Sequence, residues 1–254
     1  MTEPLLTLKQ VTKTYQNGTV ALSPIDLSIR SGEFVSLVGP SGCGKSTVLR
    51  LAAGLGQPSS GRLIWHQSQQ LAFVFQDAAL MPWATVLENV YLPLRLSGQR
   101  RRAARPRIQQ AINTVELNGF EQRYPRQLSG GMKMRVSIAR ALVTDPQVLL
   151  MDEPFGALDE MTRSRLNRDL LTLWEQRRWT VLFITHNIYE AVYLSSRVVV
   201  MTARPGQIAA DIPIQEPYPR SQSFRTSSAF NRYCRHVLAA LEQAAAEPET
   251  PWLS

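Results

Sequence analysis

Residues 39–47, Gly-Pro-Ser-Gly-Cys-Gly-Lys-Ser-Thr, have the spacing of a phosphate-binding loop, Gly-x-x-x-x-Gly-Lys-Ser. The segment lies between an apolar run typical of a strand and a helical pattern, which is the context such a loop requires. Glycines let the backbone N–H groups turn toward phosphate oxygens, and the start of the helix adds partial positive charge. Lys45 is expected to reach the β- and γ-phosphates, and the Ser46 hydroxyl is expected to bind Mg²⁺. The predicted nucleotide-binding residues of this loop are Gly39, Pro40, Ser41, Gly42, Cys43, Gly44, Lys45, Ser46 and Thr47. A plain strand–turn–helix connection is the alternative.

Two acids end a second apolar run, Val-Leu-Leu-Met-Asp-Glu at residues 148–153. An acid at the carboxyl end of a parallel strand lies at the ligand-binding edge of the sheet. Asp152 suits a second contact to Mg²⁺, and Glu153 suits the base that polarises an attacking water. By itself the pattern is equally typical of a strand followed by a helix cap. The phosphate loop upstream favours the catalytic interpretation.

Strand and helix patterns alternate around one long helical block. Residues 5–11 and 25–29 alternate apolar and polar side chains around the hairpin signal Gln16-Asn17-Gly18. The order predicts a mainly parallel sheet with a helical insertion. Further strands are predicted at 33–38, 63–65, 71–75, 148–151, 181–184, 198–201 and 207–212, and helices at 45–53, 161–178, 187–194 and about 224–246, with a helical pattern over 82–144.

The composition is that of a folded protein. The 254 residues are 44% hydrophobic and 19% charged, and the length suits one large α/β domain, with or without an inserted lobe. No run approaches the ~18 apolar residues of a membrane-spanning helix. Glu3 stands where a signal peptide needs a basic region. We therefore expect a protein that stays in the cytoplasm.

The net charge of +8 comes almost entirely from arginine. Charge alone is compatible with nucleic acid, acidic lipid, an anionic ligand or simply solvated surfaces. Five arginines between Arg100 and Arg107 are expected on an exposed helix or loop, either as a solvated face or in contact with anionic lipid headgroups. Cys43 and Cys234 are too few for a disulfide framework or a four-cysteine zinc site.

The helical block contains a sequence that identifies a family. Leu-Ser-Gly-Gly-Met followed by Lys-Met-Arg-Val-Ser-Ile-Ala-Arg-Ala-Leu resembles the LSGGQ signature of ATP-binding cassette (ABC) ATPases. The segment opens a helix, so it can present backbone N–H groups and a hydroxyl to an anion. The signature residues are Leu128, Ser129, Gly130, Gly131 and Met132, with Met132 where glutamine is commoner.

Other elements of that family stand in the family's order between residues 5 and about 212. Gln76 resembles the Q-loop glutamine, and Asp159 the D-loop aspartate, with Gly156 where serine is usual. His186 resembles the switch histidine, and Tyr15 the aromatic residue that stacks on adenine. Tyr15 as an edge-strand aromatic residue is the alternative.

The resemblance implies an α/β fold: a P-loop NTPase core with a mainly parallel sheet, an N-terminal antiparallel β subdomain and an α-helical subdomain inserted at about 77–144. It implies an ABC ATPase domain over 1–220 and a C-terminal helical extension over 221–254, whose helix packs on the core or on a partner. It also implies a head-to-tail dimer with a second copy or a similar cassette, sandwiching two ATP molecules. The implied catalytic residues are Glu153, His186 and Gln76, and the implied Mg²⁺ contacts are Ser46, Gln76 and Asp152.

Two classes of ABC protein fit such a chain: the energy-coupling subunit of a transporter, or an ATPase of DNA repair or translation. No heptad stretch and no Cys-x-x-Cys pair is present, and the length allows one cassette, which favours the transporter. Separate membrane permease subunits are implied, as in bacterial importers, and an extracytoplasmic solute-binding protein acts indirectly; no nucleic acid is expected. The apolar segment 77–90 is expected to form a groove for a coupling helix of the permease, and ordinary core packing is the alternative for each of its side chains. The subunit would be peripheral, at the cytoplasmic face of the inner membrane.

Local phrases also resemble the nitrate, sulfonate and taurine group of importer cassettes. They include Leu-Met-Pro-Trp-Ala-Thr-Val-Leu-Glu-Asn-Val at 80–90 and Tyr-Pro-Arg-Gln-Leu-Ser-Gly-Gly-Met at 124–132. A cassette does not touch the cargo, so this expectation rests on family similarity alone. An importer for an unrelated substrate is the alternative.

Overall fold

The computed structural model describes residues 3–246 in two compact units. The first unit contains the chain up to Ser68 and from Arg178 onward, and the second contains Gln69–Arg177. The expectations that involve residues 1–2 and 247–254, at the N-terminus and at the end of the C-terminal extension, lie outside the described residues.

An antiparallel sheet begins the first unit. Strands β1 (Pro4–Thr14) and β2 (Val20–Arg30) form the predicted hairpin, and β4 (Ser60–Trp65) pairs with the other side of β1. Leu6, Leu8 and Val11 of β1 are buried, because one face of the sheet packs into the core while the other carries polar residues.

Parallel strands form the core of the first unit. Strand β3 (Phe34–Val38) pairs in parallel with β7 (Thr180–Ile184) on one side and with β8 (Arg197–Met201) on the other. Strand β9 (Ile208–Pro213) joins β8 in the antiparallel direction. Every residue of β3 and β7 is buried, as expected for strands covered on both faces. The carboxyl ends of β3, β7 and β8 therefore lie along one edge. The helices of this unit are α1 (Lys45–Ala52), α6 (Ile188–Leu194) and α7 (Ser228–Ala246).

The second unit holds the predicted helical insertion. Its strands β5 (Leu71–Val74) and β6 (Val148–Asp152) pair in parallel. Between them lie α2 (Val86–Leu96), α3 (Arg101–Thr114), a 3₁₀ turn (Pro125–Gln127) and α4 (Gly130–Leu142), and after them comes α5 (Glu160–Arg177). The α/β fold with a mostly parallel sheet, an N-terminal antiparallel sheet and inserted helices is confirmed.

The C-terminal helix begins later than the sequence pattern predicts. A 3₁₀ turn (Gln222–Thr226) contains Phe224, and α7 starts only at Ser228, where the Ser227 hydroxyl accepts the N–H of Phe230. Phe224 and Phe230 meet edge to face with centroids 5.2 Å apart. Helix α7 packs on α6 and β8 of its own unit. Within residues 3–246, none of the helices combines the length and the apolar character needed to cross a bilayer.

Arg220 ties the segment before α7 to the end of α6. Its guanidinium is buried and donates to the carbonyls of Val192, Tyr193 and Ser195, each at 2.9 Å. It also lies 4.2 Å from the centroid of the Tyr218 ring. Burial lowers the pKa of this guanidinium, but the three carbonyls at the helix C-terminus favour its charged form.

We predict that Arg220→Ala lowers the free energy of unfolding by about 3 kcal/mol, because it leaves buried carbonyls without donors. Urea unfolding followed by circular dichroism measures this. Arg232→Ala, an exposed arginine of α7, is the matched control and should change stability by less than about 0.5 kcal/mol. Equal effects of the two substitutions would contradict the role of Arg220.

Candidate nucleotide-binding and hydrolysis site

The phosphate loop of the first unit runs from the end of β3 to the start of α1. Gly44 is the N-cap of α1 and has φ 94°, a left-handed conformation that side chains other than glycine adopt rarely. A Cβ at this position would lie 2.6 Å from Leu22 Cδ2 and 2.7 Å from the Ala21 carbonyl oxygen. The loop is therefore held closely against β2, and the N–H groups of the first turn of α1, which have no acceptor within the helix, suit an anion.

Lys45 and Tyr15 flank this loop. The Lys45 ammonium is buried and donates to the carbonyls of Gly39 and Pro40, both at 2.8 Å, so its charge lies within the curl of the loop. Tyr15, which directly follows β1, is 40% exposed, and its hydroxyl lies 3.1 Å from Thr47 Oγ1. The structure thus brings Tyr15 next to the phosphate loop with an accessible ring.

His186 follows β7, the parallel neighbour of β3. Leu37 pairs with Ile184, so His186 occupies the register position of Gly39, the first residue of the loop. Hydrogen bonds made by the residues on either side of His186 hold its backbone in place. The Thr185 hydroxyl donates to Glu190 at 2.6 Å, and the Asn187 side chain accepts the N–H groups of Tyr189 and Glu190.

Arg204 also reaches the phosphate loop, although no sequence motif predicts a role for it there. It follows β8, and its Nε donates to the Gly42 carbonyl at 3.1 Å. The local signal was only an Arg-Pro-Gly turn. Because β8 also ends at the edge where the loop lies, the turn that follows it brings a guanidinium to the phosphate loop.

The predicted acids of the second unit lie at the carboxyl end of β6. Val74 of β5 pairs with Met151, so Gln76 occupies the register position of Glu153, and Asp152 is the last residue of β6. Glu153 has φ 46°. A left-handed conformation costs a residue other than glycine roughly 1–3 kcal/mol and is concentrated at functional sites. The backbone at Glu153 thus supports a catalytic interpretation that the sequence pattern alone left open.

The signature and D-loop segments contact each other within the second unit. Ser129 is the N-cap of α4, and its hydroxyl accepts the N–H of Met132 at 3.3 Å. A Cβ on Gly131 would lie 2.6 Å from Thr162 Cγ2 on α5. Asp159 accepts the Thr162 N–H at 3.0 Å, and these hydrogen bonds lower the pKa of its carboxyl group. Glycine at 131 therefore permits the close approach of two helix starts, and Met132 in place of glutamine leaves the cap intact.

Arg140 joins the end of the signature helix to the segment after Gln76. Its guanidinium donates to the carbonyls of Ala78 at 2.7 Å and Ala79 at 2.8 Å. Burial lowers the pKa of Arg140, and its hydrogen bonds to the two carbonyls favour the charged form. Helix α4 carries Ser129 at its start and Arg140 near its end, so one rigid element connects the signature to the Q-loop.

The residues predicted to bind Mg²⁺ all offer oxygen atoms as ligands. Within the described part of the chain, no three His, Cys, Asp or Glu side chains form a cluster suited to a metal ion. The predicted set, Ser46, Gln76 and Asp152, supplies a hydroxyl, an amide carbonyl and a carboxylate. Mg²⁺ binds such hard oxygens through one or two carboxylates together with substrate phosphates, so the donor chemistry fits Mg²⁺ with a nucleotide.

A family model described as "ABC transporter" matches residues 22–156 of the sequence. The chain belongs to the ABC transporter family. The match includes the phosphate loop, the signature and both β6 acids, and it fits the geometry of the two units described above.

Curated relatives of this ABC ATPase are similar over most of the chain. It is 44% identical to the aliphatic sulfonates import ATP-binding protein SsuB of Bacillus cereus, over 93% of this chain and 96% of the relative. The protein of the same name from Bacillus licheniformis is 44% identical over 88% of each chain.

Solved ABC structures share the fold. The chain is 35% identical to the dimeric bacterial ABC transporter cassette MJ0796, with a TM-score of 0.73 over 84% of this chain and 100% of that one. A dimeric post-hydrolysis state of MJ0796 with ADP and phosphate bound is 34% identical at the same TM-score and coverage. CbiO1 of Clostridium perfringens, part of the ABC transporter complex CbiONQ, is 26% identical, with a TM-score of 0.77 over 93% of this chain and 99% of that one.

We predict that Gly44→Ala weakens ATP binding by at least about tenfold, because the added Cβ collides with Leu22 and moves the loop. Gly54→Ala is the matched control: Gly54 follows the same helix, has φ 70° and has open space around it. Titration with a fluorescent ATP analogue compares the two folded variants. Normal affinity in Gly44→Ala would show that the close approach does not set the loop geometry.

Proposed function

We propose that this ABC ATPase is the ATP-hydrolysing subunit of a bacterial importer for aliphatic sulfonates. The similarity to the Bacillus cereus sulfonate import protein carries the proposal, because it extends over 93% of this chain at 44% identity. Within the nitrate, sulfonate and taurine group expected from the sequence, this favours sulfonates. A second cassette, a membrane permease and, indirectly, an extracytoplasmic solute-binding protein would complete the transporter, with this subunit peripheral at the cytoplasmic face of the membrane.

In this proposal the phosphate loop and Tyr15 bind ATP. The N–H groups at the start of α1 and the Lys45 ammonium neutralise the phosphates, and Tyr15 presents its exposed ring to adenine. Ser46, Gln76 and Asp152 would hold Mg²⁺, which supplies charge neutralisation at the β- and γ-phosphates when bound. Arg204 adds a positive charge beside Gly42.

Glu153 is proposed as the general base and His186 as the residue that contacts the γ-phosphate. A carboxylate can accept the proton of the attacking water, and Glu153 directly follows Asp152 at the carboxyl end of β6 with a left-handed backbone. Ser129, Gly130 and Gly131 would donate to the γ-phosphate held by a second chain, with Asp159 at the dimer seam. The dimeric cassette MJ0796, at 35% identity, supports this assembly.

The segment after Gln76 is proposed to contact the permease. Trp83 is 76% exposed, and the fold holds the segment around it in place. The fully buried Asn89 amide accepts the Met81 N–H at 2.8 Å and donates to the carbonyls of Met81, Ala84 and Thr85. Arg140 fixes the preceding turn. A permease helix on this surface would thus be linked through α4 to the signature.

We predict that Glu153→Gln lowers the ATPase rate by about 10²–10⁴-fold while ATP binding is retained, because the amide cannot accept the proton. The same variant should elute as a dimer with ATP and as a monomer without it in sizing chromatography. Glu160→Gln, an exposed neighbour on α5, is the matched control and should hydrolyse normally. Normal hydrolysis in Glu153→Gln would refute its role as the base.

We predict that deletion of the gene abolishes growth on an alkanesulfonate as sole sulfur source but leaves growth on taurine or on nitrate as sole nitrogen source intact. The wild type and Lys9→Ala, an exposed lysine of β1, should restore uptake of labelled sulfonate, and Lys45→Ala should not. Loss of taurine or nitrate uptake instead would identify a different cargo within the same group. Unimpaired growth on every source would reject the whole group.

A further inference from the structure

One stretch of the second unit concentrates positive charge. Between Asn89 and Val115 the sequence has six arginines and no acidic residue. Five of them are exposed: Arg95, Arg100, Arg101, Arg102 and Arg105. They surround the turn between α2 and α3, and we call residues 95–105 the α2–α3 tip.

The guanidinium groups of the α2–α3 tip make no close polar contact within the described structure. None of its five exposed guanidinium groups makes a hydrogen bond or an ion pair there, whereas the nearby Arg107 donates to the Val143 carbonyl at 2.8 Å. Glu88 is attracted electrostatically by Arg95 and Arg101, but its carboxylate accepts hydrogen bonds from Thr85 in the capping box of α2. The tip therefore presents a positive surface whose guanidinium groups form no close ion pair with Glu88 or with any other described acid.

The tip has a defined shape. The Gln99 N–H donates to the Leu94 carbonyl at 2.9 Å and the Gly98 N–H to the Arg95 carbonyl at 3.0 Å, with Gly98 at φ 79°. This is a Schellman end of α2. The Tyr91 hydroxyl donates to the Gln99 carbonyl at 2.6 Å. The turn thus holds Leu96, which is 78% exposed, among the arginines.

A groove of about 450 Å³ adjoins the tip. Leu87 and Ile108 give it an apolar floor, and Arg101, Arg102 and Arg105 line it. Guanidinium groups bind phosphate oxygens in pairs, and an apolar surface beside them suits the part of a phospholipid next to its headgroup. Leu96 on the same tip can enter the headgroup–acyl boundary.

We propose that the α2–α3 tip binds the anionic phospholipid headgroups of the membrane at which this subunit works. This inference rests on the proposed function for its location. Helix α2 has 11 residues and is therefore about 16 Å long. Its first turn adjoins the segment around Trp83 proposed to contact the permease, and its last turn carries Leu96. A short helix thus leads from the proposed permease contact to the tip, and the permease itself would lie in the bilayer.

The test is co-sedimentation of the purified full-length chain with vesicles. We expect binding to phosphatidylcholine vesicles containing phosphatidylglycerol, no binding to pure phosphatidylcholine, and weakening as salt is raised. The Arg101→Gln, Arg102→Gln, Arg105→Gln triple variant should bind roughly 100-fold more weakly, because each arginine near an anionic surface contributes about 1 kcal/mol. Its circular dichroism and ATPase rate should be those of the wild type.

A matched triple variant separates a local site from general attraction. Arg62→Gln, Arg232→Gln and Arg235→Gln remove three exposed arginines of the first unit and cause the same change in net charge. This variant should retain most of the vesicle binding. Equal losses in the two triple variants, or no binding of the wild type to anionic vesicles, would overturn the proposal. The second result would leave an acidic segment of a protein partner as the occupant of the tip.

Two leucine variants test whether Leu96 contributes apolar contact to vesicle binding. Leu96→Ala should reduce the vesicle binding that remains at raised salt several-fold, and Leu55→Ala, a leucine of the first unit that is 65% exposed, should not. Equal behaviour of the two variants would remove Leu96 from the proposal. Vesicle binding needs neither permease nor cargo, so its failure is distinguishable from failure of the sulfonate uptake prediction.

Discussion

The close turn from a buried strand into a helix is the constraint on which the first unit depends. Between Val38 and Lys45 the chain has to leave a fully buried strand, curl and enter α1 with the first N–H groups of the helix facing the loop. The left-handed Gly44 against Leu22 makes that turn fit. Because β7 and β8 run parallel to β3, the segments that follow them reach the same edge. His186 and Arg204 therefore owe their places near the loop to strand direction.

Helix α4 has a comparable role in the second unit. The start of α4 carries the Ser129 cap of the signature and lies against α5. Near its end, Arg140 donates to a carbonyl of the segment that follows Gln76. Buried amide and guanidinium groups are stable here because each finds carbonyl partners, as Asn89 does with three. A displacement at one end of so short a helix is transmitted to the other, since packed helices move as rigid bodies. Helix α4 thus gives a physical route between the proposed permease contact and the proposed nucleotide contact.

The arginines of this protein have two different structural roles. Arg135 and Arg220 are buried and Arg140 is half-buried, and all three bind backbone carbonyls or acids, whereas the arginines of the α2–α3 tip are exposed and unpaired. An arginine that satisfies carbonyls stabilises the fold, and one that faces water contributes mainly to long-range attraction. The net charge of +8 therefore does not describe one surface.

Local pattern determined much of this protein from the sequence alone. The hairpin at Gln16-Asn17-Gly18, the strand–loop–helix around Lys45 and the helical block each follow from short-range periodicity and glycine placement, and the structure has all three. The motifs also identified the family, because their residue types are those that bind and hydrolyse nucleotide phosphates. The late start of α7 was missed, since apolar Phe224 continues the helical period while Ser227 caps the helix.

The tertiary structure alone revealed Arg140, Arg204 and Asn89 as supports of the site. Arg204 and Gly42 are 162 residues apart, and no local period encodes a guanidinium–carbonyl contact over that distance. The left-handed backbone at Glu153 was likewise decided by tertiary packing, because local preference opposes it.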